Sequence, residues 1–68
     1  MTWSEYETIM GRLQGKIETE KAYCESYCKN NPQDAKQRKR DRDMIIAGLR
    51  RAMAAIDQAY HDKAINIQ

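Results

Sequence analysis

The chain has 68 residues, 32% charged and 41% apolar, with twelve Lys and Arg against ten Asp and Glu. This is one small domain, and a buried, preorganised catalytic site needs more core than about 70 residues usually supply, so no enzyme is expected. There is no Val and no Phe, while eight Ala, seven Ile and abundant Lys, Arg, Glu and Gln favour helix and exclude an all-β fold.

Residues Met1 to Glu5 lack a basic stretch followed by an apolar run, so no secretory leader is expected. No uncharged stretch approaches the roughly 20 apolar residues that a membrane span needs. Cys24 and Cys28 sit four apart on what reads as one helix, a spacing that closes almost no loop. They are expected to be free thiols in a reducing cytoplasm, the alternative being a bridge between two copies, since residues four apart share a helix face.

The first helix is expected over about 3–29. Thr2 with Glu5, and Ser4 with Glu7, both fit the capping box, in which a hydroxyl and a carboxylate three residues later satisfy each other's backbone N–H. Apolar positions then recur at Tyr6, Met10, Leu13, Ile17, Cys24 and Tyr27, in steps of three, four or seven, with Glu20 as the one polar rung. The run stops at Asn30-Asn31-Pro32, because Pro32 bars continuation, disfavours helical geometry at Asn31 and suits the first position of a new helix. Residues 30–31 are therefore the turn, with Asn31 as the second N-cap.

The second helix is expected from Pro32 to about Ala64, followed by fraying over Asn66 to Gln68. Its seam reads Ala35, Arg38, Arg42, Ile45, Leu49, Ala52, Ile56 and Ala59, flanked by Ile46, Met53 and Tyr60. Folded over a two-residue turn, antiparallel neighbours have residue numbers summing to about 62. Ile17 then meets Ile45, Leu13 meets Leu49, and the two polar interruptions, Glu20 and Arg42, fall opposite each other as a register-setting ion pair. Two helices hide only one stripe from each other, so the leftover apolar residues point to a homodimer. The expected architecture is an all-α antiparallel two-helix hairpin, one domain over 1–68, dimerising into a four-helix bundle. Its core and dimer seam comprises Tyr6, Met10, Leu13, Ile17, Ile45, Leu49, Met53, Ile56 and Tyr60.

The strongest chemical signal is the basic tract Lys36, Arg38, Lys39, Arg40, Arg42, Arg50 and Arg51, within which Asp41 and Asp43 are the two acidic residues. The hairpin sets it beside Lys21 and Lys29, making one end of the rod positive and able to meet phosphates or an acidic protein surface. Tyr23, off the seam, adds an aromatic contact at that tip. The competing reading is a solvated face laced by contacts four residues apart. Asp41 and Asp43 weaken the phosphate reading, since a surface that displaces counterions normally avoids carboxylates. Trp3 reads as a cap on the bundle end or as an interface anchor. Gly11 and Gly15 suggest a close approach by another helix or a bulky side chain.

No metal and no cofactor is expected: His61 falls at the far end of the hairpin from the two thiols, and no Gly-rich phosphate loop is present. His61 with Asp57 and Asp62 lacks a nucleophile within reach. The inferred shape is similar to that of small RNA-binding four-helix dimers, a likeness that carries over no residue. Small charged hairpins are also common among phage and mobile-element accessory proteins that bind and block a host protein. The expected function is therefore a protein-interaction module that binds and regulates or inhibits another macromolecule. The alternative is a nucleic-acid-binding regulator that uses the tract 36–51 on RNA or DNA phosphates.

Overall fold

The computed structural model describes residues 1–66, with side chains through Asp62. Helix α1 (Trp3–Asn30) is joined through Asn31 and a single 3₁₀ turn, Pro32–Asp34, to helix α2 (Ala35–Asn66). The fraying expected at the C-terminus falls mainly on residues 67 and 68, outside the described residues, while Asn66 is the last residue of α2.

Local chemistry sets both ends of α1. Of the two capping boxes in the sequence, Thr2 with Glu5 is the one formed: Glu5 N donates to Thr2 Oγ1, and Thr2 N donates to Glu5 Oε1, each at 3.1 Å. At the other end Asn31 leaves helical geometry, with φ −135° and ψ 67°. Asn31 holds the N-cap position of the second helical segment, as expected, but makes no side-chain cap hydrogen bond there. Asn31 Nδ2 instead donates back to the Tyr27 carbonyl at 3.1 Å, beside the Asn31 backbone N–H on the same oxygen at 2.8 Å. The reason lies in the following turn, where Asp34 N donates to the Asn31 carbonyl at 3.0 Å. The backbone oxygen thus serves the new helical segment and leaves the side chain to close the old one.

The helices pack antiparallel along their whole overlap. Cross-hairpin contacts join Cys28 with Ala35, Cys24 with Arg38, Tyr6 with Asp57 and Trp3 with Tyr60, pairs whose numbers sum to 62 or 63. On α2 the expected seam holds at Ala35, Arg38, Arg42, Leu49 and Ile56, all half-buried, but at three steps the next residue in the chain turns inward instead. Ile46 is buried, at 6% exposure, while Ile45 is 46% exposed. Met53 and Tyr60 are half-buried in place of Ala52 and Ala59, which are exposed. One residue is a rotation of about 100°. The rotated stripe wins because burying Met and Tyr removes far more apolar area from water than burying two Ala. Leu49 and Ile56 flank both stripes and are half-buried. On α1 the same substitution of neighbours occurs at the turn end, where Tyr27 is 42% exposed and Cys28 turns inward.

The ion pair also differs from the expected one. Arg38, not Arg42, meets Glu20, with Arg38 Nη1 2.7 Å from Glu20 Oε1 and both side chains largely covered. Those two atoms are shut off from solvent, and each has the other as its close neighbour. The pairing holds the Arg38 guanidinium above its ordinary pKa, first by hydrogen bonding to Glu20. Arg42 is instead tied to its chain neighbour, its Nε and Nη2 donating to Asp43 Oδ1 at 3.1 and 3.0 Å. Arg38 lies on the same side of the seam as Glu20, so its long side chain reaches the carboxylate that Arg42 was expected to hold.

At the open end, aromatic rings close the hairpin. Tyr6 stacks on Tyr60 with centroids 4.5 Å apart, and Trp3 lies 5.4 Å from Tyr6 and 5.9 Å from Tyr60. The Tyr6 hydroxyl donates to Asp57 Oδ1. Gly11 and Gly15 have nothing within 4 Å of where a Cβ would sit, so the close approach expected over this row is not made within the hairpin.

The product is a thin layer. The Cα trace measures 55 × 18 × 8 Å, with a radius of gyration of 16.0 Å, against about 11 Å for a compact domain of this length. Among the described residues only Ile17, Cys24 and Ile46 are buried. Stability therefore rests on few side chains. Ile17→Ala should cost about 2–5 kcal/mol, most of what so small a core supplies, whereas Met44→Ala, at 75% exposure, should stay within about 0.5 kcal/mol. Urea melts followed by circular dichroism check both values.

The Tyr6 hydroxyl gives a pH signature. Its bond to the Asp57 carboxylate is the largest cause holding its pKa above the ordinary value, followed by burial and the Asp57 charge. A raised folded pKa means that the stabilisation is fully present below the ordinary tyrosine pKa, about 10, and is lost as pH rises through the folded value. The melting temperature of the wild type should therefore exceed that of Tyr6→Phe at pH 8, and the gap should close as pH rises past the ordinary tyrosine pKa and through the folded value. A gap of constant size across that range would show that the hydroxyl bond is not its source.

Candidate functional site

On one face of the layer, towards the turn, an open groove of about 910 Å³ runs between the two helices. Its floor is apolar and thiol-lined, formed by Cys24, Cys28, Pro32, Ala35, Ile46 and Ala47. Its rim carries five basic side chains, Lys21, Lys29, Lys39, Arg42 and Arg50, against two acidic ones, Glu25 and Asp43. Helical spacing builds it. Lys21, Glu25, Cys28 and Lys29 recur on one side of α1, and Lys39, Asp43, Ile46, Ala47 and Arg50 on the matching side of α2, so each rim stands one turn apart along its helix.

Of the basic tract, Lys39, Arg42 and Arg50 line this groove. Arg38 does not join them, being held by Glu20 away from the groove. Lys36, Arg40 and Arg51 are exposed outside it. Tyr23, at 67% exposure, also stands outside. A continuous stretch of positive charge in the sequence is thus dispersed around the helix by its 100° step, and the groove recruits Lys21 and Lys29 from α1 instead.

The floor contains the residues that sequence reasoning left out of any site. Cys24 Sγ and Cys28 Sγ are 3.8 Å apart, well beyond the roughly 2.05 Å of a disulfide bond. Each also lies 3.7 Å from a backbone carbonyl of α2, Cys24 from that of Arg38 and Cys28 from that of Ala35. Burial, first, and then the neighbouring Cys24 push the Cys28 thiol up from its ordinary pKa, while Lys39 and Arg38 pull the other way without reversing it. The Cys28 thiol is therefore uncharged at pH 7. The four-residue spacing was the available signal, read as a shared face but not as the bottom of a groove.

Elsewhere, His61 lies 3.5 Å from Asp57 and stacks edge-on against Tyr60, at the opposite end of the layer from the thiols. Among the described residues no three His, Cys, Asp or Glu side chains gather as a metal would require, and no helix is long and apolar enough to cross a membrane. No family model, curated protein or solved structure matches the chain.

The raised Cys28 pKa makes a reactivity prediction. At pH 7.5 iodoacetamide should alkylate Cys28 several-fold more slowly in the folded protein than in the urea-unfolded chain, and the difference should shrink above about pH 9 as thiolate forms. Peptide mapping of the labelled protein separates Cys28 from Cys24; equal rates in both states would contradict the burial argument.

Proposed function

We propose that the chain is a small non-enzymatic interaction module: a helical hairpin that pairs with a second copy as a four-helix bundle and binds, and so regulates or inhibits, a protein with an acidic surface. The groove is the observation that carries this reading. An apolar floor gives a partner side chain a place to be desolvated, and the surrounding cations select acidic neighbours for it, which is the anatomy of a protein-binding hot spot with a charged rim. The two free thiols fit a reducing compartment such as the cytoplasm.

A nucleic-acid-binding regulator is the second reading, favoured by the exposed Lys36, Arg40 and Arg51 beside the groove. Against it stand Glu25 and Asp43 in the rim and the commitment of Arg38 and Arg42 to carboxylates. Salt separates the two readings, because phosphate binding weakens by about 0.7 to 0.9 log units per phosphate contact for each tenfold rise in salt, while a protein interface centred on apolar contacts weakens far less.

The test is a titration against labelled mixed-sequence RNA and duplex DNA at about 50 and 200 mM salt. The expected outcome is no binding tighter than nonspecific. Micromolar binding that collapses at the higher salt would install the nucleic-acid reading instead. In affinity capture of protein partners, Lys39→Ala/Arg50→Ala should lose what the wild type retains while its melting changes by less than about 0.5 kcal/mol.

A further inference from the structure

Helix α2 carries two apolar stripes, and α1 covers only one. With Ile46, Met53 and Tyr60 facing α1, the 100° step sets Ile45 and Ala52 on the opposite side of the seam from the groove, flanked by Leu49 and Ile56. Ile45 is 46% exposed, Ala52 is exposed, and Leu49 and Ile56 are half-buried. Ile9 and Leu13 of α1, both half-buried, fall on the same side. The layer therefore has two unlike faces: a basic groove on one, and on the other an apolar strip in the middle of the rod, flanked along α1 by Arg12 and Lys16.

Charge along the rod indicates what covers that strip. In the observed register residues 1–11 lie beside 52–62, and together they hold Glu5, Glu7, Asp57 and Asp62 with no Lys or Arg; Lys63 follows, its side chain outside the described residues. Residues 12–51, the remainder of the hairpin including the turn, hold eleven basic against six acidic side chains. The open end is thus acidic and the turn end basic. Two copies laid face to face with their turns at opposite ends place each acidic end against the other's basic end, whereas turns at the same end would crowd eight carboxylates together. The face is also large enough: an outline of 55 × 18 Å is about 1,000 Å², comparable to the roughly 800 Å² that each partner buries in a stable interface.

We infer that the face bearing Ile9, Leu13, Ile45, Leu49 and Ile56 is covered by a second copy of this chain, docked antiparallel, so that the two basic grooves lie on the outer surfaces at opposite ends of the bundle. This rests on the proposed pairing and adds to it the face and the direction.

Sedimentation equilibrium on three proteins tests it. The wild type at about 100 µM should sediment at twice the 8.0 kDa chain mass. Ile45→Asp should raise the dimer dissociation constant about 30-fold or more while keeping the helical signal, since Ile45 lies outside the hairpin's own seam. Ala52→Glu, also at an exposed position, serves if Ile45→Asp loses helix. Glu7→Lys/Asp62→Lys, away from the apolar strip, should weaken the dimer several-fold at about 20 mM salt and have little effect at about 500 mM. A monomeric wild type would overturn the pairing itself. A dimer indifferent to both Ile45→Asp and Ala52→Glu would overturn the face while leaving the pairing in place. A dimer strengthened by the double charge reversal would overturn the direction.

Discussion

Two α-helices have no interior, and every other feature of this protein follows from that constraint. Each helix can show the other a single stripe, so the fold depends on which stripe each presents. On α2 the choice is made at three steps, Ile45 or Ile46, Ala52 or Met53, Ala59 or Tyr60, between the shared Leu49 and Ile56. The line through Ile46, Met53 and Tyr60 wins on volume, since its alternative offers Ala52 and Ala59 at the corresponding steps. Once that line faces α1, Tyr60 comes over Tyr6 and Trp3, and Ile45 is turned outward.

The polar interior of the hairpin works within the same limit. A buried pair of opposite charges contributes little net stability, because desolvation offsets attraction, but misplacing either member leaves an uncompensated charge. Glu20 and Arg38 therefore act on specificity. A slide of one helical turn that set Ala35 in the place of Arg38 would leave the Glu20 carboxylate without its guanidinium, whereas the opposite slide would bring up Arg42. The aromatic cluster at the open end and the carbonyl-facing thiols at the turn fix the two extremities, so that register is specified at both ends and in the middle of a molecule with only three buried side chains among the described residues.

Much of this was legible in the sequence. Helix content, the break at Asn31-Pro32, a capping box at Thr2 and a pairing sum near 62 all follow from rules that act over a few residues or from the equal rise of two arms. The facing stripe of α2 was not. Ile45 and Ile46 are adjacent and chemically identical, and the run Ala35, Arg38, Arg42 gives no apolar residue in the turn-proximal half to decide between them. Only the cross-hairpin comparison of Ala52 and Ala59 with Met53 and Tyr60, set against Met10 and Tyr6, settles the rotation. The groove was missed for the same reason: its rim depends on that rotation, and charge run together in the sequence as one tract is separated by the helix into groove, ion pair and outer surface.

The cations of the groove and the carboxylates of the open end belong to one electrostatic pattern. A hairpin that kept its charges evenly mixed would have no preferred orientation towards a partner or a second copy. Here acidic and basic ends are separated along 55 Å, several Debye lengths at physiological ionic strength, where the Debye length is about 8 Å. At that distance the two ends do not neutralise each other within one molecule, and each acts on whatever approaches it. The apolar strip lies between them on one face, and the groove lies at the basic end of the other. Contact through the strip thus need not occupy the groove, and a ligand in the groove need not disturb the strip. If the proposed pairing and partner both hold, self-association and partner binding would compete only through their shared demand on the basic end, a demand strongest at low salt and fading as screening grows.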